Sequence, residues 1–219
     1  MYNPANMMNP YLFFILAILI LQYLLDLVVD VLEIRSLDPL LPRAFRDFYD
    51  EEKYAESQKY TRVTTRFSQI RASISLVLTV AFILIGGFNL IDLIARNFDQ
   101  GTIITGLLFT GMVYLLSLIL SLPFSIYFTF EIEESFGFNK TTVKTFVLDL
   151  VKGLLLTIVI GVPLLAMLLW FFESTGEFAW LYSWGGLSLF TFVMQFLAPV
   201  LIMPLFNKFT PLEDGELKE

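Results

Sequence analysis

Five stretches of this chain are apolar for long enough to cross a bilayer, and polar segments separate them. They fall at about residues 11–32, 72–94, 102–130, 146–172 and 184–203. A hydrocarbon core about 30 Å thick takes roughly 20 helical residues, so each stretch predicts a transmembrane helix. The runs carry small and polar residues at helical spacing and lack the short alternation of barrel strands. The fold class is therefore all-α, a polytopic helical membrane protein. The third and fourth runs hold Pro123 and Pro163. An interior proline removes a hydrogen bond and kinks a helix, and tilt absorbs surplus length. Pro199 and Pro204 punctuate the end of the fifth run.

The polar segments add detail. Residues 33–71 are mixed in charge, with Pro39 and Pro42 breaking their start. From Arg43 onward Phe45, Phe48, Tyr49, Tyr54, Tyr60, Phe67 and Ile70 predict a helix with an aromatic face. This first loop reads as a helical extension packed on the bundle. The sharper alternative is a docking surface for a soluble partner domain. Between the third and fourth runs, Gly137 and Asn139 suit a turn, and Thr141 or Thr142 can cap the next helix. The Glu133–Glu134 pair beside that turn reads as merely solvated.

Charge orients the helices. All but one of the 14 Lys and Arg lie in the first loop, the third loop region or the tail, the exception being Arg96 in the second loop. The positive-inside rule then puts the N-terminus outside or in a lumen and the C-terminus in the cytoplasm. Trp180, Tyr182 and Trp184 fit an outer aromatic belt, as does Tyr11. The first eleven residues carry no Lys or Arg, unlike a cleaved signal, so the first run is expected to stay as a helix.

Composition narrows the chemistry. The chain is 57% hydrophobic and 16% charged, with no Cys and no His. Without imidazole or thiolate there is no ordinary zinc site, no Ser-His-Asp triad and no thiol nucleophile. The net charge is -7 and no basic stripe points to nucleic acid.

Polar residues inside the spans are the remaining candidates. Gln22, Asp26, Asp30 and Glu33 share one helical face. A carboxylate at depth costs a few kcal/mol or more, so it should face the bundle interior or water. Glu33, and in part Asp30, sit near the end of the span, whereas Asp26 does not. Thr110, Tyr114, Ser117, Ser121 and Ser125 form a second stripe, Ser188, Thr191, Gln195 and Pro199 a third, and Gly153, Thr157 and Gly161 a fourth. Close helix packing is the default account of small residues, with a wet cavity as the alternative. Asp149 and Lys152, three apart, read as a structural ion pair.

Two longer motifs resemble a known family. Residues 134–142, ESFGFNKTT, followed by Phe146 and Asp149, are similar to the signature of the type I CAAX prenyl endopeptidases, integral-membrane zinc metalloproteases. Glu134, Phe136, Gly137, Phe138, Asn139 and Lys140 carry that likeness. Pro204, Phe206, Asn207 and Lys208 open a stretch to Lys218 that resembles the end of the family's N-terminal membrane domain. Tyr54, Ser57 and Tyr60 also fit the family's pattern. The resemblance covers essentially the whole chain, residues 1–219, as one membrane domain. It implies seven helices around an intramembrane chamber, with zinc held by an HExxH helix and a later Glu, the HExxH Glu activating water. No HExxH occurs in this chain, so no catalytic or metal residue is carried over.

The resemblance therefore implies a chain that is inert alone and holds no cofactor, zinc entering only with a C-terminal catalytic domain that is missing here. The other implied partners are the bilayer and a peptide or prenylated-protein substrate. Gln22, Asp26, Asp30, Tyr114, Ser117, Ser121 and Gln195 are the candidate chamber residues. A membrane scaffold that binds a partner is one alternative. A transporter is another, weakened because no inverted repeat is visible. The orientation is testable, since a chain without Cys accepts single-Cys labels cleanly. In intact cells an impermeant thiol reagent should label a Cys replacing Glu177 and not one replacing Ser57. The reverse pattern means the topology is inverted.

Overall fold

The computed structural model describes residues 9–207. Those residues are almost wholly helical, with no β-strand among them. Five helical stretches are long and apolar enough to cross a membrane: Pro10–Ser36, Glu51–Leu84, Gly101–Glu133, Val143–Ser174 and Gly176–Phe206. They correspond one to one with the five apolar runs, though several ends move. The chain forms two compact units, Met1–Ile91 with Leu115–Lys140, and Asp92–Tyr114 with Thr141–Glu219.

In the first unit α1 (Pro10–Ser36) opens with Asn9 as N-cap, its side chain accepting from the Tyr11 amide at 3.0 Å, and with Pro10 in the first turn. There the missing N–H of proline costs nothing. The helix α2 (Glu51–Leu84) runs antiparallel to α1. The Tyr23 and Ser73 hydroxyls bond at 2.7 Å, Thr65 donates to Glu33 Oε2 at 3.1 Å, and Arg62 donates to the Leu37 carbonyl at 3.3 Å. Helix association in lipid lacks a hydrophobic drive between apolar faces, so such polar links contribute specificity.

The second span ends earlier than the apolar run does. The helix stops at Leu84, Gly86 takes a positive φ of 76°, and a separate short helix α3 (Gly87–Arg96) follows. A positive φ suits glycine, which has no Cβ to clash. The run 72–94 is thus two helices. At the other end α2 reaches back to Glu51, well into the first loop. The aromatic-faced helix of that loop and the second span are one element, 34 residues and about 51 Å long at 1.5 Å per residue. The loop's start holds only a 3₁₀ turn, Arg43–Phe45.

Prolines shape the other spans. The third is α4 (Gly101–Tyr127), with Pro123 inside it, continued by a π-helical segment Phe128–Glu133. In the second unit the fourth span is α5 (Val143–Leu156), a π segment Thr157–Gly161, and α6 (Val162–Ser174). The fifth is a 3₁₀ turn Gly176–Phe178, α7 (Ala179–Leu197), a π segment Ala198–Ile202, and α8 (Met203–Phe206). A proline ring clashes with the carbonyl four residues before it. For Pro163 that carbonyl belongs to Val159 and for Pro204 to Val200, each inside a π segment. The wider turn relieves the clash while the helix continues.

Close approach in the second unit falls on Gly106 and Gly186. A Cβ on Gly106 would come within 2.8 Å of Leu169, and one on Gly186 within 3.1 Å of Met167. Gly153 has open space and Gly161 meets only Thr157 of its own turn, so close packing explains neither.

The start of α2 is capped by a titratable side chain. The Asp50 carboxylate accepts from the Lys53 and Glu52 amides at 3.0 and 2.9 Å. The Lys53 amide, reinforced by that of Glu52 and the Lys53 charge, outweighs desolvation and holds its pKa below the ordinary 3.8. A depressed carboxylate adds stability that is complete above its unfolded pKa and lost as pH falls through the folded one. Amide exchange at residues 51–54 should therefore accelerate on acidification below about pH 4, beyond the intrinsic pH trend. Asp50→Asn, which still caps, should remove most of that acid dependence.

Candidate functional site

The glycine turn between the third and fourth spans is a built structure. The Gly137 amide donates to the Glu134 carbonyl at 3.0 Å and the Phe138 amide to the Glu133 carbonyl at 2.9 Å, with Gly137 at φ 72°. That pair of bonds is a Schellman cap, which satisfies carbonyls that a helix end leaves open. The Asn139 side chain donates to Glu134 Oε2 at 2.9 Å, tying the turn shut. Thr142 then caps α5, accepting from the Thr145 amide at 3.2 Å.

This turn docks on α2. The Tyr60 hydroxyl donates to Glu133 Oε1 at 2.5 Å. Its ring meets Phe136 and Phe138 edge-on, with centroids 5.1 and 5.0 Å away. Lys59 lies over the Phe136 ring at 5.8 Å. One stretch further along α2, Phe67 stacks on Tyr127 at 5.5 Å and touches Phe124 and Phe128. The aromatic face of the first loop is therefore packed against the end of the third span at Tyr60 and Phe67. Phe48 and Tyr49, outside α2, stay exposed.

Glu133 is hence bonded within the fold, which corrects its reading as merely solvated, while Glu134 bonds Asn139 and stays exposed. Proximity in sequence hid this, because Tyr60 lies 73 residues from Glu133. The available signal was a tyrosine on an aromatic helix face together with an acidic residue before a glycine turn. Lys140 is exposed at the edge of the turn.

The second unit brings the other motif to Lys152. Its ammonium pairs with Asp149 at 3.1 Å, as the spacing predicts. It also donates to the Leu205 carbonyl at 2.9 Å and sits 5.5 Å from the Phe206 ring centroid. Pro204 and Phe206 are thereby held at the end of the fifth span, with the Asn207 amide donating to the Met203 carbonyl at 3.0 Å. Lys208 lies outside the described residues.

The polar stripes fare differently. Gln22 and Asp26 are exposed on α1 and Asp30 is half-buried. Tyr114 Oη and Thr157 Oγ1 lie 3.3 Å apart, and Thr157 also donates to the Gly153 carbonyl beside its π segment. Ser121 bonds back to the Leu118 carbonyl of its own helix at 2.9 Å, while Ser117 and Gln195 are exposed. Zinc of the kind the resemblance implies finds no fitting donor set. The chain has neither His nor Cys, and among the described residues no three acidic side chains converge.

Five membrane-capable helices closed by these two motif-bearing turns define a helical membrane domain. The sequence matches the family described as "CAAX prenyl protease N-terminal, five membrane helices" over residues 30–208, and the chain belongs to that family. It is 34% identical over 218 residues to the CAAX prenyl protease 1 homolog of Oryza sativa subsp. japonica, covering 96% of this chain and 51% of the relative. It is 37% identical over 194 residues to the CAAX prenyl protease 1 of Saccharomyces cerevisiae, covering 82% and 42%. The crystal structure of S. mikatae Ste24p superposes with a TM-score of 0.86 at 35% identity, over 95% of this chain and 50% of that one. The chain thus spans about half the length of the relatives it matches.

The Tyr60 cluster yields a stability test. A hydrogen bond to a charged acceptor contributes about 1.5–3 kcal/mol. Tyr60→Phe should lower thermal stability in detergent, and a cycle with Glu133→Gln should return a coupling of about 1–2 kcal/mol. Gly137→Ala meets open space but forces a left-handed alanine, costing about 1–2 kcal/mol. No coupling between positions 60 and 133 means the bond does not fasten the turn.

Proposed function

We propose that this chain is the membrane part of an integral-membrane zinc metalloendopeptidase. In this reading it contributes much of the wall of an intramembrane chamber that admits prenylated or other membrane-associated protein substrates. The similarity to S. mikatae Ste24p carries the proposal, because at 35% identity it extends over 95% of this chain. In this reading the zinc donors and the general base come from a partner half, because the chain has neither His nor Cys and no three acidic side chains converge among the described residues. The chain's own contribution is to position and enclose. The Schellman turn closes the third span and the Lys152 contacts hold the end of the fifth, and the charge argument assigns each to the cytoplasmic side.

The polar faces are proposed to be wet. Gln22, Asp26 and Asp30 on α1 have apolar neighbours Leu24, Leu25 and Leu27. A lipid-facing carboxylate there would cost a few kcal/mol. Tyr114, Ser117, Ser121 and Gln195 are assigned the same surroundings, each able to bond water or a substrate backbone.

Two measurements test this. The purified 219-residue chain should hydrolyse no peptide, and chelator-sensitive cleavage should appear only on co-expression with the C-terminal half of a relative such as the rice protein. Turnover by the chain alone sinks the division of labour, and a folded but inactive pairing favours a scaffold. In nanodiscs, Asp26→Cys should react with a polar thiol reagent faster than Leu25→Cys. Equal rates remove Asp26 from the chamber.

A further inference from the structure

The short helix α3 has three distinct faces. Gly87, Ile91 and Ala95 are buried. Asn89, Asp92 and Arg96 fall within a narrow arc on the opposite side at 100° per residue, and Arg96 donates to Asp92 at 2.7 Å. Between these faces Leu90, Leu93 and Ile94 form an apolar strip that is 59, 52 and 42% exposed. A helix with a protein side, a water side and an uncovered apolar side fits one setting, the boundary between acyl chains and headgroups.

We propose that α3 lies in the membrane–water interface, with Leu90, Leu93 and Ile94 inserted among lipid and Asp92 and Arg96 in water. Its position in the chain argues for this occupant over a protein partner. The helix α2 ends at Leu84 and α4 starts at Gly101. An 18-residue window within the helix Glu51–Leu84 is apolar enough to cross without α3. That window is about 27 Å long, close to a thin bilayer's core. Residues 85–100 therefore leave and re-enter the bilayer at one face, within reach of its surface throughout. With 10 residues α3 is about 15 Å long, too short to cross by itself. Phe82 meets Phe88 edge-on at 4.9 Å across the Gly86 break, which fixes the second helix to the end of the first. Exposed Phe98 adds an aromatic at the same level. The Asp92–Arg96 pair leaves the polar face of α3 without net charge and Asp99 follows it, so insertion rests on apolar area and gains nothing from anionic lipid.

The test is independent of any protease activity. Single Cys residues replace Asn89, Leu90, Asp92 or Leu93 in the full chain, carry an environment-sensitive fluorophore, and are placed in phosphatidylcholine nanodiscs. Lipid brominated high on its acyl chain should quench positions 90 and 93 at least about twofold more than positions 89 and 92. Lipid brominated near the terminal methyl should quench them less, and adding phosphatidylserine should not strengthen the quenching. Stronger quenching by the deep bromines would make α3 a buried continuation of the second span and overturn the proposal. Equal quenching at all four positions, or none at 90 and 93, would also overturn it. Two labelled positions on each face keep the comparison open should one variant misfold, which gel filtration detects.

Discussion

A peptide group inside hydrocarbon has no water to bond, so every span must satisfy its own backbone. That constraint organises what the prolines do here. Pro163 and Pro204 each displace a carbonyl, and each is preceded by a π-helical segment covering the displaced group. The helices continue where soluble ones would end. Helix ends are closed separately, by side chains and a glycine turn. Asn9, Asp50 and Thr142 cap helix starts, and Gly137 closes the third span with a two-bond cap.

Tertiary structure then rests on a few long-range polar and aromatic fastenings. Tyr23–Ser73, Glu33–Thr65 and Arg62 to the Leu37 carbonyl join the first two helices. Tyr60 and Phe67 join the second helix to the end of the third span. In lipid, where apolar contact between helices competes with equally apolar tails, these fastenings set register. They also assign work to the family motif. Its glycine shapes the turn, its Asn139 closes it, and its two phenylalanines seat it against Tyr60.

The number and class of the helices were legible in the sequence because bilayer thickness turns apolar length into a count. The Thr142 cap, the Gly137 turn and the Asp149–Lys152 pair were legible because their chemistry is local. The break at Gly86 was not, since a glycine within an apolar run looks like any other small residue until its φ is known. Nor were Tyr60–Glu133 and Lys152–Leu205, which join residues 73 and 53 positions apart. Among the small residues the pattern was misleading. In the second unit Gly106 and Gly186 take the close approaches, while Gly153 and Gly161 do not. Spacing shows that residues share a face without showing what that face meets.

Lys152 has a bearing on how the chain assembles. The end of the fifth span carries Pro199 and Pro204, neither of which offers a backbone donor. An ammonium on the fourth span donates to the Leu205 carbonyl, beyond both prolines, and lies 5.5 Å from the Phe206 ring centroid. The placement of the last described turn thus depends on a side chain of α5, 53 residues earlier in the chain. During synthesis α5 is made first, so it is a ready template when Leu205 arrives. The order of translation matches the order in which the two pieces depend on each other.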